Sequence, residues 1–367
     1  MPLSKCPPPS RAEGSLLAPK RRPEDDAPAP SVPSAKRSKP AASSTTAPGA
    51  TRNVLDNIPI GRVDSYKILD KIGAGAFGDV WKARHRSTGQ KVAIKSVRAG
   101  GKAALLREAA LLTACAGNPG VVELHEVVRG GGGTEMDDKL YLVMEYAGPS
   151  LHSVVGARRH AGRPLVEDEA RRVMRWLLRG VRMMHERGVV HCDLKPGNVL
   201  VGKEDGRGRG RAVKICDLGL ASSATVPPPD TSGPVQGTLW YMAPEQLTGD
   251  TECSAPVDLW SLGCVMAELV AGKPIFQGSD VFEQLGEIVH LLGIPDEVSL
   301  MSLGVSPSTP SHLRDAVPEE RLSPAGFDVL RGLLEFDPRD RLTSAAALQM
   351  PWFTGKDDDD APSPAGA

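Results

Sequence analysis

The rhythm of hydrophobic and polar positions changes twice along this chain. Through residue 60 there is almost no apolar periodicity, and Pro, Ala, Ser and charged residues dominate. Such a segment cannot bury enough surface to offset the entropy of ordering it, so residues 1–60 are expected to be disordered. From Tyr66 short apolar runs set in: YKILDKI, GDVWKARH, KVAIKSV and GVVELHEVV, separated by Gly-bearing turns. Their β-branched and aromatic content predicts strands to about Arg129. One stretch breaks the pattern. KAALLREAALLTA, from Lys102 to Ala114, puts Leu105, Leu106, Ala109 and Leu112 on one face of a helix. After the run Gly130 to Gly133, KLYLVMEY predicts a further strand.

Beyond Gly148 the period becomes helical. EDEARRVMRWLLRGVRMMHERG opens on acidic residues and closes on a basic turn and Gly188, which are helix start and stop signals. VDLWSLGCVMAELVAG and DVFEQLGEIVHLLG each stop at a glycine in the same way. The tail from about Lys356, with four consecutive aspartates, is expected to be solvated and unstructured. No internal repeat is present. The order is a small β-rich part, then a larger helical part, with a cleft expected between them.

Composition narrows the class. The chain has 367 residues and a formal net charge of −1, which argues against a general nucleic-acid binder. No apolar run is long enough for a signal peptide or a membrane span, so a soluble intracellular protein is expected. Six cysteines are scattered (Cys6, Cys115, Cys192, Cys216, Cys253, Cys264) without a CxxC pair. That usage predicts free thiols in a reducing compartment and offers no metal-ligand spacing.

Four motifs carry chemistry. The first is Ile72-Gly73-Ala74-Gly75-Ala76-Phe77-Gly78-Asp79-Val80, whose glycines let backbone approach phosphate oxygens. A lone GxGxxG is weak, and its rival, a dinucleotide-binding turn, needs a helix directly after it. Here Val80, Trp81 and Ala83 continue as a strand, which favours a phosphate-covering hairpin. The second is Val92-Ala93-Ile94-Lys95. Such a lysine is more often a strand's solvent edge, but a strand directly after the hairpin can aim it at phosphates, with Glu108 as its anionic partner. The bland alternative for Glu108 is a surface glutamate beside Arg107. The third is His191-Cys192-Asp193-Leu194-Lys195-Pro196-Gly197-Asn198. Asp193 can orient and deprotonate a hydroxyl, Lys195 can neutralise a phosphoryl group in flight, and Asn198 can ligate magnesium. The fourth is Asp217-Leu218-Gly219 after AVKIC, a carboxylate at a strand end suited to magnesium. An Asp-x-Gly alone is usually a turn. Ala243-Pro244-Glu245 closes the segment that Asp217 opens.

In this order the motifs make residues 66–353 resemble a complete eukaryotic protein kinase domain. The resemblance implies an α+β, two-lobed fold: a β-rich N-lobe with one main helix and the hinge (66–147), and a larger, mostly helical C-lobe (148–353), with an acidic tail at 354–367. It implies ATP and Mg²⁺ in the cleft and transfer of the γ-phosphate to protein hydroxyls. By that similarity Lys95 holds phosphates and pairs with Glu108, and Asp193 is the catalytic base. Asn198 and Asp217 would hold magnesium, Met144 would back the adenine, and the backbone of Glu145, Tyr146 and Ala147 would bond it. Arg341 would pair with Glu245, and Asp258 matches a structural position. The DLKPxN form with Lys195 is the serine/threonine version.

GTLWYMAPEQL, PIFQGSDVFEQLGEIVHLLGIPDE and LLEFDPRDRLTSAAALQMPWF are similar to the cyclin-dependent kinases, with the plant F class the nearest in look. Four departures qualify this. GGKAALLRE replaces a longer cyclin-contacting sequence, which argues against a cyclin partner. Ala76-Phe77 replaces the Thr-Tyr pair of inhibitory phosphorylation. Cys192 replaces the arginine before the catalytic aspartate, and Met242 replaces an arginine beside the substrate pocket, where Gly237 can compensate through positive φ. Thr231 and Ser232 lie near the family's activating phosphosite. Lys20-Arg21-Arg22 and Lys36-Arg37-Ser38-Lys39 resemble a bipartite nuclear signal, so a nuclear location is expected, otherwise cytoplasmic. A scaffold pseudokinase is the rival reading; loss of Lys95, Asp193, Asn198 or Asp217 would favour it, and all four are present.

Overall fold

The computed structural model describes residues 58–75, 78–96, 101–130, 139–204, 211–226, 237–249, 253–293 and 310–355. The basic clusters, Ala76, Phe77, Thr231, Ser232 and the acidic tail lie outside the described residues. Strands β1 (Ile60–Arg62), β2 (Tyr66–Gly75), β3 (Gly78–His85), β4 (Lys91–Ser96), β5 (Leu124–Arg129) and β6 (Leu140–Glu145) form one sheet in the order β1-β5-β6-β4-β3-β2. All neighbours are antiparallel except β1, which runs parallel to β5 with Ile60 opposite Val127. At three residues, β1 is too short to show a period, and the pattern analysis did not anticipate it.

Alternation sorts the sheet's two faces. Val128 and Val143 join Tyr66, Ala83, Val92 and Ile94 in one apolar cluster. Their neighbours Val127 and Leu142 turn to the other face, in the cluster that holds Leu105, Ala109 and Leu112 of helix α1 (Lys102–Ala114). The helix spans the expected residues and buries Leu105, Ala109 and Leu112, but Leu106 is only partly buried and the enclosed face takes in Glu108, Ala110 and Leu111 instead.

The helical part contains α2 (Leu151–His160), α3 (Glu167–Glu186), α4 (Pro244–Leu247), α5 (Ala255–Ala271), α6 (Val281–Leu292), α7 (Leu313–Ala316), α8 (Pro324–Leu333), α9 (Ser344–Leu348) and α10 (Pro351–Thr354). Two short antiparallel pairs lie among them: β7 (Val189–Val190) with β10 (Ser222–Ser223), and β8 (Val199–Glu204) with β9 (Arg211–Ile215). Helix α5 is buried on every side from Val257 to Val270, as its nearly unbroken apolar composition demands of a central helix. It ends at Gly272, whose φ of 78° is left-handed. Helix α3 is amphipathic and buries Ala170, Met174, Leu177, Val181 and Met184 at helical spacing. Its Gly180 allows the chain at Gly120 to touch it: a Cβ on Gly120 would sit 2.7 Å from the Gly180 Cα. Asn118 secures the approach by donating to the Gly180 carbonyl at 2.9 Å.

One expectation fails. Cys192 and Cys253 are not free thiols but a disulfide, 61 residues apart in sequence with Cα atoms 6.0 Å apart. Sequence spacing could not show this, because the tertiary fold alone brings the loop after β7 against the residues preceding α5. Cys115, Cys216 and Cys264 are free, as expected. Among the described residues no helix is long and apolar enough to cross a membrane.

Candidate active site

The glycine motif is a hairpin. β2 and β3 pair Gly73 with Val80, Ala74 with Asp79 and Gly75 with Gly78. Gly78 has φ 146°, a conformation that a side chain would strain. No helix follows, so the dinucleotide-binding alternative is excluded. Below the hairpin β4 places Lys95 opposite Val80.

Lys95 is buried and its Nζ donates to both Glu108 oxygens at 2.7 Å and to Asp217 Oδ1 at 2.6 Å. One ammonium thus faces two carboxylates. Burial opposes its charge, but attraction to Glu108 and Asp217 outweighs that and holds its pKa above the ordinary lysine value. Burial likewise opposes ionisation of Asp217, yet Lys95 keeps it below the ordinary carboxylate range. For Glu108, fully enclosed, burial wins and pushes its pKa up. Glu108 is buried against Lys95 and is not the surface glutamate of the bland alternative; Arg107 also secures the helix. Its guanidinium donates to the carbonyls of Gly219, at 3.3 Å, and Ala221, fastening α1 to the chain just after Asp217.

The second cluster surrounds Asp193. Lys195 Nζ donates to Oδ2 at 2.6 Å, and the Thr238 hydroxyl donates to Oδ1 at 2.9 Å. Lys195 also donates to Thr238 Oγ1 at 2.5 Å, closing a triangle of acid, cation and hydroxyl. Asn198 Nδ2 donates to the Asp193 carbonyl at 2.9 Å. His191, wholly buried, donates from Nε2 to the Cys216 carbonyl at 3.0 Å and accepts the Asp193 amide at Nδ1. Asp258 of α5 anchors this loop by accepting the amides of His191 at 2.8 Å and Cys192 at 2.9 Å. Cys192 and Asp217 both take φ of 66°, uncommon for non-glycine residues. The β8–β9 ladder aligns Val199 with Ile215, and so brings Asn198 and Asp217 to the same end of the hairpin.

Between the glycine hairpin and the β8–β9 hairpin lies a cavity of about 470 Å³. Of the residues expected at a nucleotide site, Ile72, Gly73, Ala74, Gly78, Val80, Lys95, Glu108, Met144, Glu145, Tyr146, Ala147, Asn198 and Asp217 line it. Asp79, Asp193 and Lys195 are not among its lining residues, and Asp79 pairs with Lys71 at 2.9 Å. Ala93, Val122 and Leu200 complete apolar walls that motif analysis did not identify, since such residues look like any core. Apolar walls with one polar end fit a planar base carrying a polyanion. Among the described residues no group of three or more His, Cys, Asp or Glu could cage a metal. Magnesium fits nonetheless, because it commonly takes only one or two protein carboxylates and completes its shell with phosphate and water. Thr238 was not identified as a site residue from sequence, for its hydroxyl reaches Asp193 only through the fold. Across the domain, Arg341 donates to Glu245 at 2.7 and 3.0 Å, the expected pair.

The model of the protein kinase domain matches residues 66–353. This chain belongs to the protein kinase family. It is 46% identical over 312 residues to a protein of Oryza sativa subsp. japonica described as a cyclin-dependent kinase F-2, covering 80% of this chain and 91% of that one. It is 36% identical over 310 residues to cyclin-dependent kinase B2-1 of Arabidopsis thaliana, covering 81% and 96%. With cyclin-dependent kinase G-2 of Oryza sativa subsp. indica the identity is 39% over 311 residues, 79% of this chain but 42% of that one. The kinase is therefore a serine/threonine protein kinase of the cyclin-dependent kinase-like group.

Proposed function

We propose that this kinase binds ATP with magnesium in the 470 Å³ cleft and uses Asp193 to accept the proton of a serine or threonine hydroxyl on a protein substrate. The observation that carries the reading is the pair of contacts on the Asp193 carboxylate. Lys195 on Oδ2 and Thr238 on Oδ1 fix the plane of the carboxylate and so orient it toward an incoming hydroxyl. Lys195 also stands where it can neutralise charge on a phosphoryl group moving toward that hydroxyl. Lys95, held by Glu108, offers its ammonium to phosphates beneath the glycine hairpin. Magnesium at Asn198 and Asp217 would neutralise phosphate charge. The apolar walls hold the base, and the backbone at Glu145, Tyr146 and Ala147 supplies its polar edge.

Lys95 meets Glu108 within one chain, and Arg107 holds α1 in place through Gly219 and Ala221. This supports basal transfer without a cyclin. Nuclear location is part of the same proposal and rests on the two basic clusters.

Asp193→Asn should reduce turnover to below about one per cent while leaving nucleotide affinity within about twofold, since the base acts on the acceptor. Asp217→Asn should weaken magnesium-nucleotide binding itself. Calorimetric nucleotide binding beside single-turnover transfer separates the two. An Asp193→Asn protein with substantial turnover would overturn the assignment.

A further inference from the structure

The Cys192–Cys253 cross-link has no part in the chemistry above, yet it closes a ring around most of it. Between the two half-cystines lie Asp193, Lys195, Asn198, Asp217, Thr238 and Glu245. Cys192 is the residue before the base, and its amide already bonds Asp258 at 2.9 Å. Cys253 stands two residues before α5, the helix that carries Asp258. The covalent tie therefore runs parallel to a hydrogen-bonded one. If the disulfide opens, Asp258 still anchors His191 and Cys192, so the fold has a means to survive reduction. What loses one tether is the chain on the Cys253 side, which leads back through Glu245, itself held by Arg341, to Thr238. Both half-cystines are only partly buried, within reach of small reagents. Cys115 and Cys264, in contrast, are enclosed free thiols at 2% exposure.

We infer that Cys192 and Cys253 form a reversible redox modification site, oxidised by a hydroperoxide and reduced by a dithiol, whose cross-linked state orders the Asp193–Thr238 region for protein substrate. The consequence for turnover rests on the reading of Asp193 as the base; the cross-link itself does not. In oxidation one thiolate attacks a peroxide oxygen, the O–O bond breaks, and the departing oxygen takes up a proton. The second thiolate attacks the sulfenic sulfur; the S–S bond forms as the S–O bond breaks, and the departing hydroxide takes up a proton from solvent to leave as water. Two electrons pass from the sulfur pair to the peroxide. A dithiol reverses this through a mixed disulfide, delivering two protons to the cysteines and ending as a cyclic disulfide.

The cross-linked arrangement coexists with the Lys95–Glu108, Lys195–Asp193 and Thr238–Asp193 contacts, so the oxidised form is the competent one. Most residues lining the nucleotide cleft, on β2, β3, β4, β6 and 146–153, lie outside the ring, and Asn198 and Asp217 inside it are held by the β8–β9 ladder and by Lys95, so nucleotide affinity should not follow the redox state.

The test uses the full chain treated with hydrogen peroxide or with dithiothreitol, alongside Cys253→Ser and Cys192→Ser. The oxidised form should yield a Cys192–Cys253 peptide by mass spectrometry and melt about 5 °C higher. It should also show slower amide exchange over 190–194 and 237–245. Its kcat/KM for a protein substrate should exceed that of the reduced form by about threefold or more, with nucleotide Kd the same. Both serine variants should match the reduced form and ignore the reagents. Absence of the cross-linked peptide after peroxide overturns the inference, as do unchanged exchange, equal turnover in the two states of an active enzyme, or a redox response that persists in Cys253→Ser. If the cross-link and the exchange difference appear but no phosphate is transferred in either state, the redox site stands and the catalytic reading of Asp193 falls.

Discussion

At the scale of single residues, the charges around Lys95 set a measurable pH dependence. Lys95→Met leaves Glu108 and Asp217 without the ammonium they share, which at pH 7 should cost about 3 kcal/mol, as for other buried pairs broken on one side. Glu108 is enclosed, and burial already pushes its pKa up in the presence of Lys95; without Lys95 it should rise further. A carboxyl whose native pKa is raised binds more protons folded than unfolded between the ordinary value, about 4.3, and the raised one. Its stabilising contribution is therefore present at low pH and lost as pH rises through the raised value. The stability deficit of Lys95→Met should be smaller at pH 5 than at pH 7, as read by urea unfolding of both proteins at both values. A deficit that is constant or larger at pH 5 contradicts this account of the cluster. Asp217 runs the other way: its pKa is depressed by Lys95, so its contribution persists above the ordinary aspartate value and is lost only as pH falls through the lowered one.

At the scale of elements, the segment between Asp217 and Glu245 decides how substrate is met. Gly237 has φ 132°, the conformation in which glycine substitutes for a strained residue, and Met242 packs so near that an added Cβ would lie 2.8 Å from its Cε. The positive φ expected there is present, although Met242 stands where relatives of the group carry arginine. Peptides with proline after the phosphorylated hydroxyl should therefore be used about tenfold better than those with alanine, a difference of about 1.4 kcal/mol in the barrier. Gly237→Ala should remove that preference, because the side chain adds both left-handed strain and a clash. Equal rates for the two peptides in the unaltered kinase would reject the argument. The same segment contains Thr231 and Ser232. Cys192, before Asp193, is a half-cystine and not an arginine, so a phosphate at Thr231 or Ser232 would lack that guanidinium partner. The double alanine variant should keep most activity in a peptide assay, and a loss of tenfold or more would show phosphate control to be intact.

At the scale of the whole molecule, the Pro-, Ala- and Ser-rich N-terminal residues differ in composition from the kinase domain, whose structure begins earlier than expected, with Ile58 in the core and Ile60 in β1. The tail's two basic clusters are argued from charge and composition alone. Replacing both with alanine in a fluorescent fusion should move the protein from nucleus to cytoplasm without altering transfer by the purified kinase. An unchanged distribution reduces the tail to a linker.

Much of this kinase can be read without its fold. Helix α1 falls on the residues its period marked, and α3, α5 and α6 on theirs to within two or three, because apolar spacing and capping residues act locally. The clustering of the motif residues about one cleft is legible because each motif lies in a few consecutive positions: glycines in a hairpin, a lysine on the next strand, Asp193 with Asn198 in one loop. Strand β1 was hidden, since three residues carry no period and only pairing with β5 defines it. Thr238 and Arg107 were hidden for another reason: a hydroxyl 45 residues from Asp193 and a guanidinium 112 residues from Gly219 find their partners by topology. The disulfide is the clearest case. Six cysteines without a motif look like free thiols, and only when Asp258 draws the His191–Cys192 loop onto α5 do Cys192 and Cys253 come within bonding reach, because a covalent pair depends on distance in space, to which sequence separation is blind.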